Sequence, residues 1–310
     1  MKRLLLAITL SLFTILILLF VKNEYSKDLP DTEFGMSSLL KQKQIDYLFI
    51  GSSTFRKGLD IEVLQSLPGS TYILAYNGNQ PVTILMELEY LLEHGLSIQH
   101  LYIDFYPYLS LGKPTLSDTR LLLDTDMPFK RKLYASLHAS DETSSFMDRI
   151  SDFYEMFVSS NNSVILWWPI YQHFTRNRNY HGGTRNLRTS HGKTAEELAQ
   201  RKLPEVREGL KEIHLQALGR IMEIARTHHI ELTFLEIPKY EKLSQSADYV
   251  ETSHQMMDYL ISQDANIAVL RADDFEFDLH EPDHFADLIH LSGSGAYAYT
   301  TLLLERVRQD

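Results

Sequence analysis

At 310 residues, 44% of them hydrophobic, the chain is long enough to bury a sizeable core as one large domain or as one domain with an insertion, and it is neither disordered nor fibrous. Its net charge of −11 excludes a general nucleic-acid binder, which needs a basic footprint to neutralise phosphates. With no cysteine there are no disulfides, thiolate nucleophiles or cysteine metal sites, a composition that suits an oxidising compartment.

Met1-Lys2-Arg3 precedes an uncharged run from Leu4 to Val21, closed by Lys22, Asn23 and Glu24. That run, at about 1.5 Å per residue, gives roughly 27 Å of helix, near the thickness of a bilayer's hydrocarbon core. Leu18-Leu19-Phe20-Val21 runs straight into charge with no small-residue cleavage site, so residues 1–24 read as a cytoplasmic tail and transmembrane signal anchor in preference to a cleaved signal peptide. Lys2 and Arg3 place that tail in the cytoplasm. The remainder then lies in the periplasm or extracellular space, tethered to membrane lipid.

Residues 25–44 are a polar connector with Pro30, Asp31 and Gly35, closing on a short helix or turn. The main domain, 45–310, alternates. Strands are predicted at 46–50, 71–76, 100–106, 231–237 and 266–271, and helices at 61–67, 82–94, roughly 195–229, 247–262 and 295–307. Leu203, Val206, Leu210, Ile213, Ala217, Ile221 and Ile224 keep helical spacing along the longest segment, one apolar face for the sheet. Strand and helix repeated five times predict a three-layer α/β/α fold on a mainly parallel five-stranded sheet.

An insert at about 107–194 interrupts the alternation between the third and fourth strands. From Met156 to Ala195 it holds no Asp or Glu, yet contains Arg176, Arg178, Arg185, Arg188 and Lys193, with Trp167 and Trp168 inside the same stretch. In so acidic a chain this is a local positive field: either a solvated loop or face on anionic lipid headgroups, or a guide for an anionic polymer or lipid substrate.

The chemistry is concentrated at two places. Tyr47-Leu48-Phe49-Ile50-Gly51-Ser52-Ser53-Thr54 is a buried strand emptying into a hydroxyl-bearing turn, where open α/β sheets carry their sites, and Ser53 is the nucleophile it offers. The turn lacks the glycine spacings of phosphate-binding loops. Near the other end, Asp287-Leu288-Ile289-His290 precedes the last helix, with Ser292 or Ser294 as its N-cap. An acid three residues before a histidine in a turn can fix the imidazole's tautomer and leave its other nitrogen to accept a proton from a serine. His280, Asp283 and His284 extend this segment into a set of metal-ligand types, so a metal-dependent hydrolase is an alternative chemistry.

Gly51-Ser52-Ser53 after the first strand, with Asp287-x-x-His290 before the last helix, resembles the SGNH (GDSL-like) hydrolase superfamily. Its membrane-anchored members, acyltransferases and esterases that work with membrane-bound O-acyltransferases on cell-envelope polymers, are the most similar type. The resemblance implies Ser53 as nucleophile, His290 as base, Asp287 as its orienter, and no cofactor or resident metal. It implies an acylated envelope glycan or lipid as substrate and a membrane-bound O-acyltransferase as partner. The family pattern departs at the oxyanion hole, because the third strand ends in Asp104-Phe105-Tyr106-Pro107 without an asparagine. The expected donors are the Ser53 amide, Gly78 and Asn79, with Asn77, Asp104, Tyr106, Arg176, Arg178, Arg185 and Arg188 as substrate-binding positions. Hydrolysis and transfer remain alternatives, as does a non-catalytic subunit of the same fold serving as a binding or scaffold partner.

Overall fold

The computed structural model describes residues 9–11, 13–14, 35–105, 114–116, 118–122, 125–138, 180–181, 184–185, 191–204 and 212–308. Its centre is β1, Gln44–Gly51, paired in parallel with β2, Thr71–Ala75, on one side and β3, Ser97–Asp104, on the other. After β3, the insert contributes a small antiparallel hairpin of β4, Tyr180–His181, and β5, Thr184–Arg185. β6, Glu231–Leu235, and β7, Ala268–Leu270, complete the main sheet in the order β2-β1-β3-β6-β7, parallel throughout. The chain leaves β1 toward one edge and returns to the opposite side for β3. That reversal opens a crevice at the carboxyl ends of β1 and β3, where doubly wound sheets bind their ligands.

The apolar run of β1 is continuous because both of its faces are covered. Leu48 and Ile50 enter one core cluster and Phe49 the other, the period-2 division that a strand imposes. On the first face lie α1, Met36–Leu40, α4, Pro81–Glu93, and α7, Glu212–Thr227. On the second lie α2, Ser53–Gly58, α3, Ile61–Leu64, and α10, Gly293–Val307, whose Tyr299 and Leu303 are fully buried. Between them in sequence run α5, Met127–His138, α6, Ala195–Ala199, α8, Glu241–Ser244, and α9, Ala247–Gln263.

Several expectations are revised. Met36 and Leu39 are fully buried against the α4 side, so the folded unit begins by Gly35, inside the stretch read as a connector. The segment from 195 to 229 is not one helix: α6 ends at Ala199, and α7 starts at Glu212. Pro204 explains the break, since it has no N–H to donate and disfavours helical backbone at Leu203, which is exposed. Val206 and Leu210 fall outside the described residues, while Ala217, Ile221 and Ile224 do bury on the sheet. Within the insert, Leu121, Leu122, Phe129, Leu133 and Leu137 complete the core beside α4. Most of the expected anchor lies outside the described residues; among those described, no helix is long and apolar enough to cross a membrane.

Candidate active site

The turn that carries Ser53, the expected nucleophile, is built by the end of β1 and held by β3. Ser52 is the N-cap of α2, its backbone extended and its hydroxyl accepting from the Thr54 amide. The same hydroxyl donates to Asp104 Oδ2 at 2.7 Å, the Ser52 amide donates to that oxygen at 3.1 Å, and the Thr54 hydroxyl donates to it as well. Three donors on one fully buried carboxylate oxygen lock the turn. Ser52 is thereby engaged inward, and Ser53, the first residue of α2, is the serine left to face the crevice.

Gly51 is dictated by the same contact. A Cβ there would sit 2.7 Å from Asp104 Cβ and 2.8 Å from the Phe55 ring, and Asp104 is fixed by its hydrogen bonds. Gly51→Ala should therefore destabilise the fold by about 1–3 kcal/mol and lower activity, measured by urea denaturation and ester turnover. Wild-type stability in that variant would contradict the packing described.

His290 arrives from a loop closed on itself. Phe285 and Leu291 form an antiparallel bridge, the Ala286 amide donates to the His290 carbonyl at 2.9 Å, and the Tyr240 amide ties the loop to the β6–α8 connection through Leu288 O at 3.2 Å. Ser292, not Ser294, caps α10, accepting from the Gly295 amide. His290 Nε2 lies 2.8 Å from Ser53 Oγ, and Nδ1 lies 2.8 and 3.0 Å from the two Asp287 carboxylate oxygens. A carboxylate only accepts, so Nδ1 carries the hydrogen and Nε2 is the lone pair aimed at the serine.

The charges support that assignment. Burial works against the Asp287 charge, but the His290 hydrogen bond and charge, with the Ile289 and His290 amides at 2.8 and 2.9 Å, outweigh it and hold the carboxyl below the ordinary range. Burial lowers His290, assisted by the positive charges of Lys57 and Lys239 and opposed by Asp287. The imidazole is accordingly neutral, and competent as a base, at and somewhat below neutral pH.

The loop after β2 supplies the other wall. Tyr76 to Asn79 form a turn in which the Asn79 amide donates to Tyr76 O at 3.2 Å and Gly78 adopts a φ of +62, a conformation glycine enters without strain. Asn77 and Gly78 are exposed, and the Asn77 amide donates to Asp118 Oδ2 at 2.9 Å. The Asn79 side chain, expected to face the reacting oxygen, is instead directed inward. Its nitrogen donates to Gly51 O at 3.3 Å and to the Glu87 carboxylate at 3.0 and 3.2 Å. The physical reason is Glu87, fully buried on α4, which needs a donor more than the solvent-facing crevice does.

Two neighbouring groups carry no motif. Lys239, 1% exposed, sits in the β6–α8 connection within the fields of Asp104, Glu236 and Asp287. Burial lowers it from the ordinary lysine range to about 8 against those carboxylates. Glu236 is held separately by Tyr249 Oη at 2.6 Å and Arg271 Nε at 2.5 Å. The only sequence signal for Lys239 is a charged residue just past a strand's carboxyl end.

The remaining expected positions divide. Tyr106, Arg176, Arg178 and Arg188, with Trp167 and Trp168, lie outside the described residues. Arg185 lies on β5, which runs beside α2 and β2. Downstream, the Lys193 amide donates to Phe285 O at 2.8 Å, so the insert's last turn is stitched to the histidine loop. The metal-ligand types at 280–290 do not converge. His280 pairs with Glu241 at 2.7 Å, Asp283 accepts from Ser294, and Asp287 faces His290; among the described residues no group of three could hold an ion.

No protein-family model matches the chain, and no curated protein matches it. Among solved structures it is similar to a GDSL-like lipase from Bacteroides thetaiotaomicron, at 8% identity and a TM-score of 0.38, over 87% of this chain and 89% of that one. It is similar also to a candidate platelet activating factor from Streptococcus pneumonia, at 14% identity and a TM-score of 0.39, over 97% of this chain and 99% of the other.

Proposed function

We propose that the protein is a serine-dependent acyl-ester enzyme of the SGNH (GDSL-like) type, working through an acyl-Ser53 intermediate. The observation that carries this reading is the line Ser53 Oγ, His290 Nε2, His290 Nδ1, Asp287, each step within 3.0 Å. As Ser53 Oγ attacks the ester carbonyl carbon, its proton passes to His290 Nε2, and Asp287 stabilises the imidazolium. The carbonyl oxygen becomes an alkoxide, received by the Ser53 and Gly78 backbone amides. His290 returns the proton to the departing alcohol, leaving the acyl group on Ser53. An incoming hydroxyl, from water or from a sugar, then loses its proton to His290 as it attacks the acyl carbon, and the bond to Ser53 Oγ breaks as His290 returns that proton to the serine.

The substrate we assign is an O-acylated glycan or lipid of the cell envelope, with the site outside the cytoplasm and a membrane-bound O-acyltransferase as partner. The uncharged Leu4–Val21 run supports the tether. The basic island supports an anionic polymer, since its β5 strand lies beside the nucleophile helix and its end joins the histidine loop. Labelling with a fluorophosphonate tests the reading: wild type should react and Ser53→Ala should not. Absence of labelling in a folded wild type would sink it.

The pH dependence follows from His290. Because its ionisation is lowered, kcat/KM should fall as acid protonates the base, with the midpoint below the ordinary histidine value of about 6.5. A midpoint clearly above that value, in a pH–rate profile on an activated ester, would contradict the buried, neutral imidazole.

A further inference from the structure

Glu87 is the most deeply buried carboxyl of α4, fully enclosed, and the proposed acyl transfer makes no direct use of it. Its position is nevertheless specific. Both of its oxygens accept from Asn79 Nδ2, and that same nitrogen reaches Gly51 O, the carbonyl immediately before the nucleophile turn. One side-chain amide therefore joins three elements: the end of β1, the loop after β2 and the interior of α4. The loop is held at its other positions too, by Asp118 on the Asn77 amide and by Gln80 Oε1 accepting from the Thr115 amide at 3.0 Å. Gly78 is the exposed residue between these fixed points.

We infer that Glu87 is a positioning residue: through Asn79 it clamps the β2–α4 loop against the nucleophile turn and so sets where the Gly78 amide stands relative to Ser53. This rests on the proposed reading of Ser53 as the residue that takes the acyl group. An oxyanion donor works only if it is fixed where the alkoxide will form, and displacement of about 1 Å costs about 100-fold in rate. A backbone amide in an exposed turn has no such fixity of its own; it is borrowed from the buried anchor. Burial also pushes the Glu87 carboxyl well above the ordinary range, against the Asn79 hydrogen bond and with the Asp118 charge adding to it. Glutamine, of the same length and with an amide oxygen that can accept from Asn79, is its nearest mimic.

The test uses the full chain and two readouts, amide hydrogen exchange over residues 76–80 and the rate of Ser53 labelling by a fluorophosphonate. Glu87→Ala should speed exchange in that loop while β1 and β3 stay protected, and should slow labelling about 10- to 100-fold. Glu87→Gln should recover both, to within about threefold of wild type. Asn79→Ala, which leaves the interior of α4 intact, should reproduce the alanine result even if Glu87→Ala does not fold. Unchanged exchange at 76–80 in folded Glu87→Ala or Asn79→Ala would overturn the clamp. A loosened loop with unchanged labelling would overturn its link to the reaction. If wild type itself is not labelled, the reading of Ser53 fails while exchange still decides whether Glu87 holds the loop.

Discussion

Replacing Ser53 by alanine should lower turnover of an activated acyl ester by about 10⁴- to 10⁶-fold while leaving thermal unfolding nearly unchanged. The size follows from the role: without Oγ there is no acyl-enzyme, and any residual rate comes from binding and the amide donors alone. The small effect on stability follows from the geometry. Ser53 Oγ is bonded to His290 only at the crevice, whereas the hydroxyls that hold the turn belong to Ser52 and Thr54. His290→Ala should fall in the same range, and the double variant should be scarcely worse than either single one, because the two groups act as a unit. Additive losses would mean that they do not share a step. The converse substitution, Ser52→Ala, should cost stability before it costs chemistry, since it removes the N-cap and a buried donor to Asp104.

The second large effect is expected at Lys239. Its ammonium is enclosed within the fields of three carboxylates, Asp104, Glu236 and Asp287, and Glu236 is also in contact with the Arg271 guanidinium. Its lowered ionisation means that burying the ammonium costs more than those carboxylates return. Lys239→Met keeps the apolar stem and removes the buried charge, so near neutral pH it should be more stable than wild type by about 3 kcal/mol, read by urea denaturation.

Lys239 also has a dependence on pH with a definite sign. Its folded ionisation, at about 8, lies below the unfolded lysine value of about 10.4, so between those values the unfolded chain binds more protons. This group's contribution to stability should therefore rise as pH climbs through that window, by roughly 3 kcal/mol in total, and the rise should be missing in Lys239→Met. Equal slopes in wild type and variant would show that the lysine is not enclosed as described.

The sheet could be read from the sequence because its determinants are local. Five apolar runs, separated by segments of helical period, already state a parallel, doubly covered sheet, and each predicted strand overlaps an observed one. Gly51-Ser52-Ser53 and Asp287-x-x-His290 were legible for a related reason: each is a short turn whose chemistry is written in adjacent residues. What could not be read is what distant elements do to a side chain. Asn79 looks like a donor for the crevice until α4 is packed behind it and Glu87 claims its hydrogens. Asp104 reads as a strand-end acid until β3 sets it beside Gly51 and it becomes the anchor of the nucleophile turn. Lys239 has no signal beyond a charge just past the end of a strand, because its surroundings are created by carboxylates that come from β3, the β6–α8 connection and the histidine loop. Pro204 is the contrary case, a local signal that a helix must break, which the apolar spacing around it concealed.

Ser53 and His290 are 237 residues apart, so the hydrogen bond between them joins the end of the first strand to the loop before the last helix. During synthesis the serine emerges early and folds into its turn only when β3 delivers Asp104. It meets an imidazole only after the loop that precedes α10 has been made and docked. In the reading proposed for Ser53, a growing chain thus carries a serine of ordinary alcohol reactivity until the loop before α10 docks and brings the imidazole to it.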